Sequence, residues 1–204
     1  TIFYQISPLP TKIMLTLGII SVLLGGWMGL NQTQMRKLMA FSSLAHMGWL
    51  IIALTLNLKL ATLTFLIYTT MTSATVMMLH SSMTKTTMDL ATTHACQPMM
   101  TALLMMAVVS LSGLPPLTGF LPKWMVLKEL TTLNTPLLAT LLALASLPNM
   151  YFYLRMMYIT ALTTPPNNIT TEFKWRFNSY VPVGTAMMTS MTMLLLPMAP
   201  TLLN

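Results

Sequence analysis

Charge is what this sequence has least of. Only 6% of its 204 residues are Asp, Glu, Lys or Arg, against about a quarter in soluble domains. Three acidic and ten basic side chains cannot hydrate a globular surface, so a soluble fold is excluded. Cys96 is the one cysteine, which excludes an internal disulfide and any CxxC metal or cluster site. No GxGxxG, P-loop or GxSxG pattern occurs, so phosphate cradles and nucleophile elbows are missing as well. His80 and His94 stand at loop edges without a carboxylate at ligand spacing, and no metal site is expected. The basic residues are scattered over the whole length and form no patch. Nucleic acid is therefore not an expected partner.

What is present is apolar sequence: 55% hydrophobic residues and a mean hydropathy of +0.71. The expected fold is an all-α, polytopic membrane helix bundle, a single transmembrane domain over residues 1–204 with about six spans. The spans are expected at Thr11–Leu30, Gln34–Leu56, Leu60–Leu79, Met99–Leu130, Thr135–Thr160 and Val181–Ala199. Gly25-Gly26 offers a close packing surface in the first span. Polar loops are expected at His80–Pro98 and Thr163–Asn178. Thr135-Pro136 reads as the N-cap and first-turn proline of the fifth span. Arg36, Lys37, Lys85, Lys174 and Arg176 then fall on one side, with Lys12, Lys59 and Lys128 on the other. The positive-inside rule puts the first group in the matrix or cytoplasm. Thr1 and the run TIFYQISP read like a helix begun earlier, so the chain is expected to lack an N-terminal part.

The fourth stretch is the one that cannot be a plain span. At some 32 residues it is too long for one crossing, and Ser110–Leu130 carries Gly113, Pro115, Pro116, Gly119 and Pro122. Proline removes a backbone donor and clashes with the preceding turn, so the helix must break at Leu114-Pro115-Pro116. Groups freed by a break need protein or water partners inside hydrocarbon. About 10 Å of helix past the break stands Lys123. An amine at such a depth costs roughly 2.5–3.5 kcal/mol on insertion scales. Its neighbours one turn away, Gly119, Phe120, Val126 and Leu127, include no counter-ion, so any partner comes from another helix or from water. The residues leave two readings open: a proton relay, or an anchor that snorkels to the interface beside Trp124.

His46 lies near the middle of its span, with Ser42 and Ser43 one turn before it on the same face. An imidazole among hydroxyls suits a hydrated proton path, and equally suits packing against a neighbouring helix. Arg36 and Lys37 read as topology anchors. Arg155, with Tyr151, Phe152, Tyr153 and Tyr158 around it in sequence, reads as an interfacial cation–π cluster. The methionines occur in every span and read as packing or lipid-facing residues, not as a metal box.

Two motifs carry a resemblance. GGWMGLNQTQMRKLMAFSSLAHMGW (Gly25–Trp49) and LSGLPPLTGFLPKWMVLKEL (Leu111–Leu130) closely resemble the antiporter-like membrane subunits of NADH–ubiquinone oxidoreductase, respiratory complex I, in particular the mitochondrially encoded subunit-2 group. YFYLRMMY (Tyr151–Tyr158) and LLLPMAP (Leu194–Pro200) look like the same group, and the excess of Met and Thr resembles vertebrate mitochondrial products. The resemblance implies inverted bundles with a broken helix in each. It matches Lys123 to the group's lysine on the second broken helix and so favours the relay. His46 is then the nearest other titratable candidate, because the span equivalent to Leu60–Leu79 carries His or Lys in related members, whereas Phe65–Leu79 here has only Tyr68 and hydroxyls. Further implications are a mitochondrial inner-membrane location and the other complex I membrane-arm subunits and the bilayer as partners. The resemblance also implies that no small molecule other than protons is bound directly and that no cofactor is held by this chain. NADH, FMN, iron–sulfur clusters and ubiquinone would sit in partner subunits, to which this chain's proton half-channel is coupled. The competing readings are an Mrp-type cation/proton antiporter subunit without redox partners, and a structural spacer of the membrane arm.

Overall fold

The computed structural model describes residues 11–162 except 97 and 116, together with 184 and 190. Among these residues the chain forms seven helices and no strand beyond one isolated bridge. They are α1 Thr11–Gly29, α2 Met35–Leu56, α3 Leu58–Ser82, α4 Thr87–Cys96, α5 Pro98–Ser112, α6 Phe120–Thr132 and α7 Pro136–Leu162. Helices α1, α2, α3 and α7 are 19 to 27 residues long and apolar enough to cross a membrane. At 1.5 Å per residue the shortest covers about 28 Å, close to the hydrocarbon thickness. Apart from 184 and 190, the expected last span and the loop before it lie outside the described residues.

The long fourth stretch is divided into α5 and α6, 15 and 13 residues, each too short to span alone. One expectation is corrected here: His80–Pro98 is not simply a loop. α3 runs on to Ser82 and stops at Met83, in the left-handed conformation with φ 53°, and a further ten-residue helix, α4, follows. Its start is a capping box. The Thr86 hydroxyl accepts the Asp89 N–H at 3.2 Å, and the Asp89 carboxylate accepts the Thr86 N–H at 2.8 Å.

Helix packing follows the small residues. A Cβ on Gly25 would stand 2.6 Å from the Ala45 nitrogen of α2, and one on Gly26 would stand 3.1 Å from Pro148 of α7. The glycine pair therefore serves two partners at once, letting both backbones approach α1. α7 continues through Pro148. It begins at Pro136 directly after Thr135, as expected, and the Thr135 carbonyl accepts the Ala139 N–H at 3.3 Å, while the Thr135 hydroxyl donates back to the Leu130 carbonyl at 2.9 Å. Two buried apolar clusters result. One joins α2, α3, α5 and α7 through Leu38, Ile67, Leu104 and Phe152. The other joins α1, α2, α6 and α7 through Val22, Ile52, Val126 and Leu142.

Candidate proton-relay site

Between Ser112 and Phe120 the chain leaves the helical path and folds as short turns. The Gly113 N–H donates to Ser110, Leu117 to Leu114, Phe120 to Leu117 and Leu121 to Thr118. Gly113 needs its lack of a side chain, since its φ is +83°. Gly119 needs it for space, because a Cβ there would collide with the Ser110 carbonyl. The end of α5 leaves carbonyls without helical N–H partners.

Lys123 answers one of them. α6 begins at Phe120, so Lys123 lies in its first turn, and the expected 10 Å of helix between break and amine does not exist. The side chain folds back to the break: Nζ donates to the Ser112 carbonyl at 2.9 Å. A Cβ on Gly113 would stand 2.8 Å from the same nitrogen. The amine thus caps the negative end of the α5 dipole. It is 9% exposed, whereas Trp124 beside it is 53% exposed on another face of α6.

A cavity of ≈ 30 Å³ borders the amine, lined by His46 and Trp49 of α2, Thr64 and Tyr68 of α3, and Lys123 and Val126 of α6. One water needs about 10–15 Å³ of such space, so the cavity has room for about two. The His46 ring lies 5.1 Å from the Tyr68 ring, tilted by 33°. His46 Nε2 and Trp49 Nε1 are buried without a protein hydrogen-bond partner, which leaves them free to bind water in the cavity they line. Ser42 and Ser43 spend their hydroxyl protons on their own helix, donating to Met39 and Ala40 at 2.7 Å each.

The structure therefore brings Lys123 and His46 to one cavity. It adds Tyr68, Trp49, Thr64 and the Ser112 carbonyl to them. Thr64, Tyr68 and Met71 recur at one-turn spacing along α3, a periodicity that sequence reasoning passed over and that could have marked this face. The Ser112 contact had no such signal. Arg155 is a correction: among the described residues its guanidinium makes no ring contact with the tyrosines around it in sequence. Its guanidinium donates instead to the Leu30 carbonyl at 2.7 Å, tying α7 to the end of α1. Among the described residues no three His, Cys, Asp or Glu side chains gather as metal ligands.

Residues 1–147 match the family described as NADH:quinone oxidoreductase/Mrp antiporter, transmembrane, and residues 150–203 match the NADH dehydrogenase subunit 2 C-terminus. The chain belongs to the NADH:quinone oxidoreductase/Mrp antiporter family. Similar curated proteins include NADH-ubiquinone oxidoreductase chain 2 of Sylvisorex ollula, 44% identical over all of this chain and 59% of that protein. The namesake of Phoca vitulina is 48% identical over 88% of this chain and 52% of its own length. This family member thus spans between half and three-fifths of these relatives' length. A chain in respiratory complex I from Thermus thermophilus with bound aureothin has the same fold, with TM-score 0.73, 23% identity and coverage of 95% of this chain and 46% of that one. An Mrp complex from Dietzia sp. gives TM-score 0.64 at 14% identity, over 72% of this chain and 29% of that one. This antiporter-family chain is a multi-pass protein of the mitochondrial inner membrane.

Proposed function

We propose that this chain works in the proton-translocating membrane arm of NADH:ubiquinone oxidoreductase, where Lys123 takes up and releases the proton and His46 exchanges it through water. In this reading NADH, FMN, iron–sulfur clusters and ubiquinone belong to partner subunits, and this chain moves charge only. The observation that carries it is the Lys123 amine, turned inward to the Ser112 carbonyl and to a cavity shared with His46. An anchor would hold its ammonium at the surface beside Trp124. A spacer has no use for an amine that costs roughly 2.5–3.5 kcal/mol to bury. The match to the subunit 2 C-terminus over 150–203 favours complex I over an antiporter without redox partners.

The chemistry asks little of the protein beyond position. The Ser112 carbonyl can accept from either the ammonium or the amine, so the side chain keeps its place when it changes charge. The cavity waters give the released proton somewhere to go, and the His46 imidazole can accept it. One charge moved across 100 mV is worth about 2.3 kcal/mol, so a small change in the amine's surroundings suffices to drive the exchange.

The test is the pair Lys123→Met and Lys123→Arg in the assembled enzyme. Methionine carries no charge, and arginine keeps its charge at every working pH. Both variants are expected to lower NADH-driven proton pumping while NADH oxidation by an artificial acceptor stays normal. Wild-type protons per NADH in Lys123→Met overturns the assignment.

A further inference from the structure

A second cavity lies far along the chain from Lys123, where α2 begins and α3 ends. The backbone clamps these ends together: the Met35 N–H donates to the Lys85 carbonyl at 3.0 Å, and the Thr87 N–H to the Thr33 carbonyl at 3.1 Å. These bonds make the antiparallel bridge between Gln34 and Thr86. Beside them opens a crevice of ≈ 370 Å³. Its wall is apolar, built from Met39, Val76 and Leu79, and its rim carries Arg36, His80 and Lys85. The three rim side chains are exposed. The acid nearest the rim in sequence, Asp89, accepts the backbone N–H groups of Lys85 and Thr86. Two permanent cations against one carboxylate leave the rim positive.

Position gives the crevice its meaning. Both helices are long and apolar enough to cross a membrane, which sets the rim, at their ends, at the depth of lipid headgroups. Trp27, 72% exposed close to the same end of α1, is the kind of residue that marks this level. The wall residues Val76 and Met39 lie two turns and one turn farther in, at acyl-chain depth. A charged rim above an apolar wall matches an amphiphile. A free phosphate would leave the wall exposed to water, and a wholly apolar helix would strip water from Arg36 and Lys85 without repaying them.

We propose that this crevice binds an anionic phospholipid, the phosphate held by Arg36 and Lys85 and the first acyl segment laid along Met39, Val76 and Leu79. The site does not involve the cavity at Lys123 and stands whether or not the relay assignment does.

The experiment uses the assembled enzyme, stripped of loosely bound lipid and exposed to photoactivatable phosphatidylglycerol or phosphatidylcholine. Cross-linked peptides are then mapped. Phosphatidylglycerol is expected to label the segment from Val76 to Lys85 several-fold more than phosphatidylcholine. Each charge near the surface is worth about fivefold in binding, so Arg36→Gln with Lys85→Gln should weaken labelling about thirtyfold. Lys37→Gln, outside the crevice lining, should leave it unchanged. Val76→Trp keeps the charges and should also abolish labelling by filling the wall. Equal labelling by the two lipids, labelling indifferent to both variants, or a polypeptide segment seated in the crevice of the intact enzyme overturns the proposal. The wild-type comparison of the two lipids decides the matter even where a variant fails to assemble.

Discussion

At the scale of single residues, the site depends on two glycines as much as on its lysine. Gly113 holds a φ of +83° and leaves room for the amine, since a Cβ would stand 2.8 Å from Nζ. Gly113→Ala therefore does two things at once. The left-handed conformation costs an alanine about 1–2 kcal/mol, and the methyl pushes Nζ off the Ser112 carbonyl. The expected outcome is a modest fall in thermal stability with a larger loss of pumping. Purified complex measured for both quantities checks it, and a variant that pumps normally at lowered stability counts against a relay seated on that carbonyl. Lys123 was legible in the sequence because an amine in an apolar stretch has few explanations. Its partner was not, because spacing along a helix says nothing once the helix is interrupted. Eleven residues separate Lys123 from Ser112, and only the fold of the turns between them decides that they meet. Arg155 shows the same limit: its partner, the Leu30 carbonyl, is 125 residues away, so neighbouring tyrosines were a poor guide.

At the scale of elements, hydropathy located the described spans well, since a helix that crosses a membrane must announce itself in apolar residues. The short helix α4 announced itself differently. Its signal was Thr86 followed three residues later by Asp89, a capping pair, hidden in a stretch whose threonines and polarity suggested loop. The Asp89 carboxylate accepts the Thr86 and Lys85 N–H groups, and these bonds hold its pKa below the ordinary carboxylate value. The sign follows directly. A carboxylate whose folded pKa is depressed contributes stability above its unfolded pKa, and that contribution is lost as pH falls through the folded value. Hydrogen exchange over residues 87–96, corrected for intrinsic rates, is expected to quicken as the pH drops below the usual carboxylate range. Asp89→Asn should exchange faster at neutral pH and lose that dependence. A pH response unchanged in the variant would assign it to other groups. Because α4 begins next to the Gln34–Thr86 bridge, this box also steadies the rim of the lipid crevice.

At the scale of the whole molecule, polar chemistry and apolar packing are set against each other in one place. The cluster built on Leu38 and Leu104 and the one built on Val22 and Leu142 take in most of the buried hydrophobic side chains among the described residues. The cavity at Lys123 lies where they meet: it takes Ile67, Met71 and Leu111 from the first and Trp49 and Val126 from the second. Protein interiors are packed nearly without voids, so an opening of ≈ 30 Å³ beside an amine and an imidazole is a feature the packing maintains. If its waters carry the proton, filling it should stop transfer without touching a titratable group. Ile67, buried at 4% exposure, lines the cavity without belonging to the relay, and Ile67→Phe would place a ring in that space. Overpacking of this kind costs typically 1–3 kcal/mol, tolerable for a bundle with this much apolar contact. The rate of NADH-driven pumping is expected to fall about tenfold, equal to ~1.4 kcal/mol on the transfer barrier, with assembly retained on native gels. Ile67→Val, which enlarges the cavity, should pump at the wild-type level or above. Equal pumping by the filled and enlarged variants would mean that protons do not pass between these two clusters, whatever the state of Lys123.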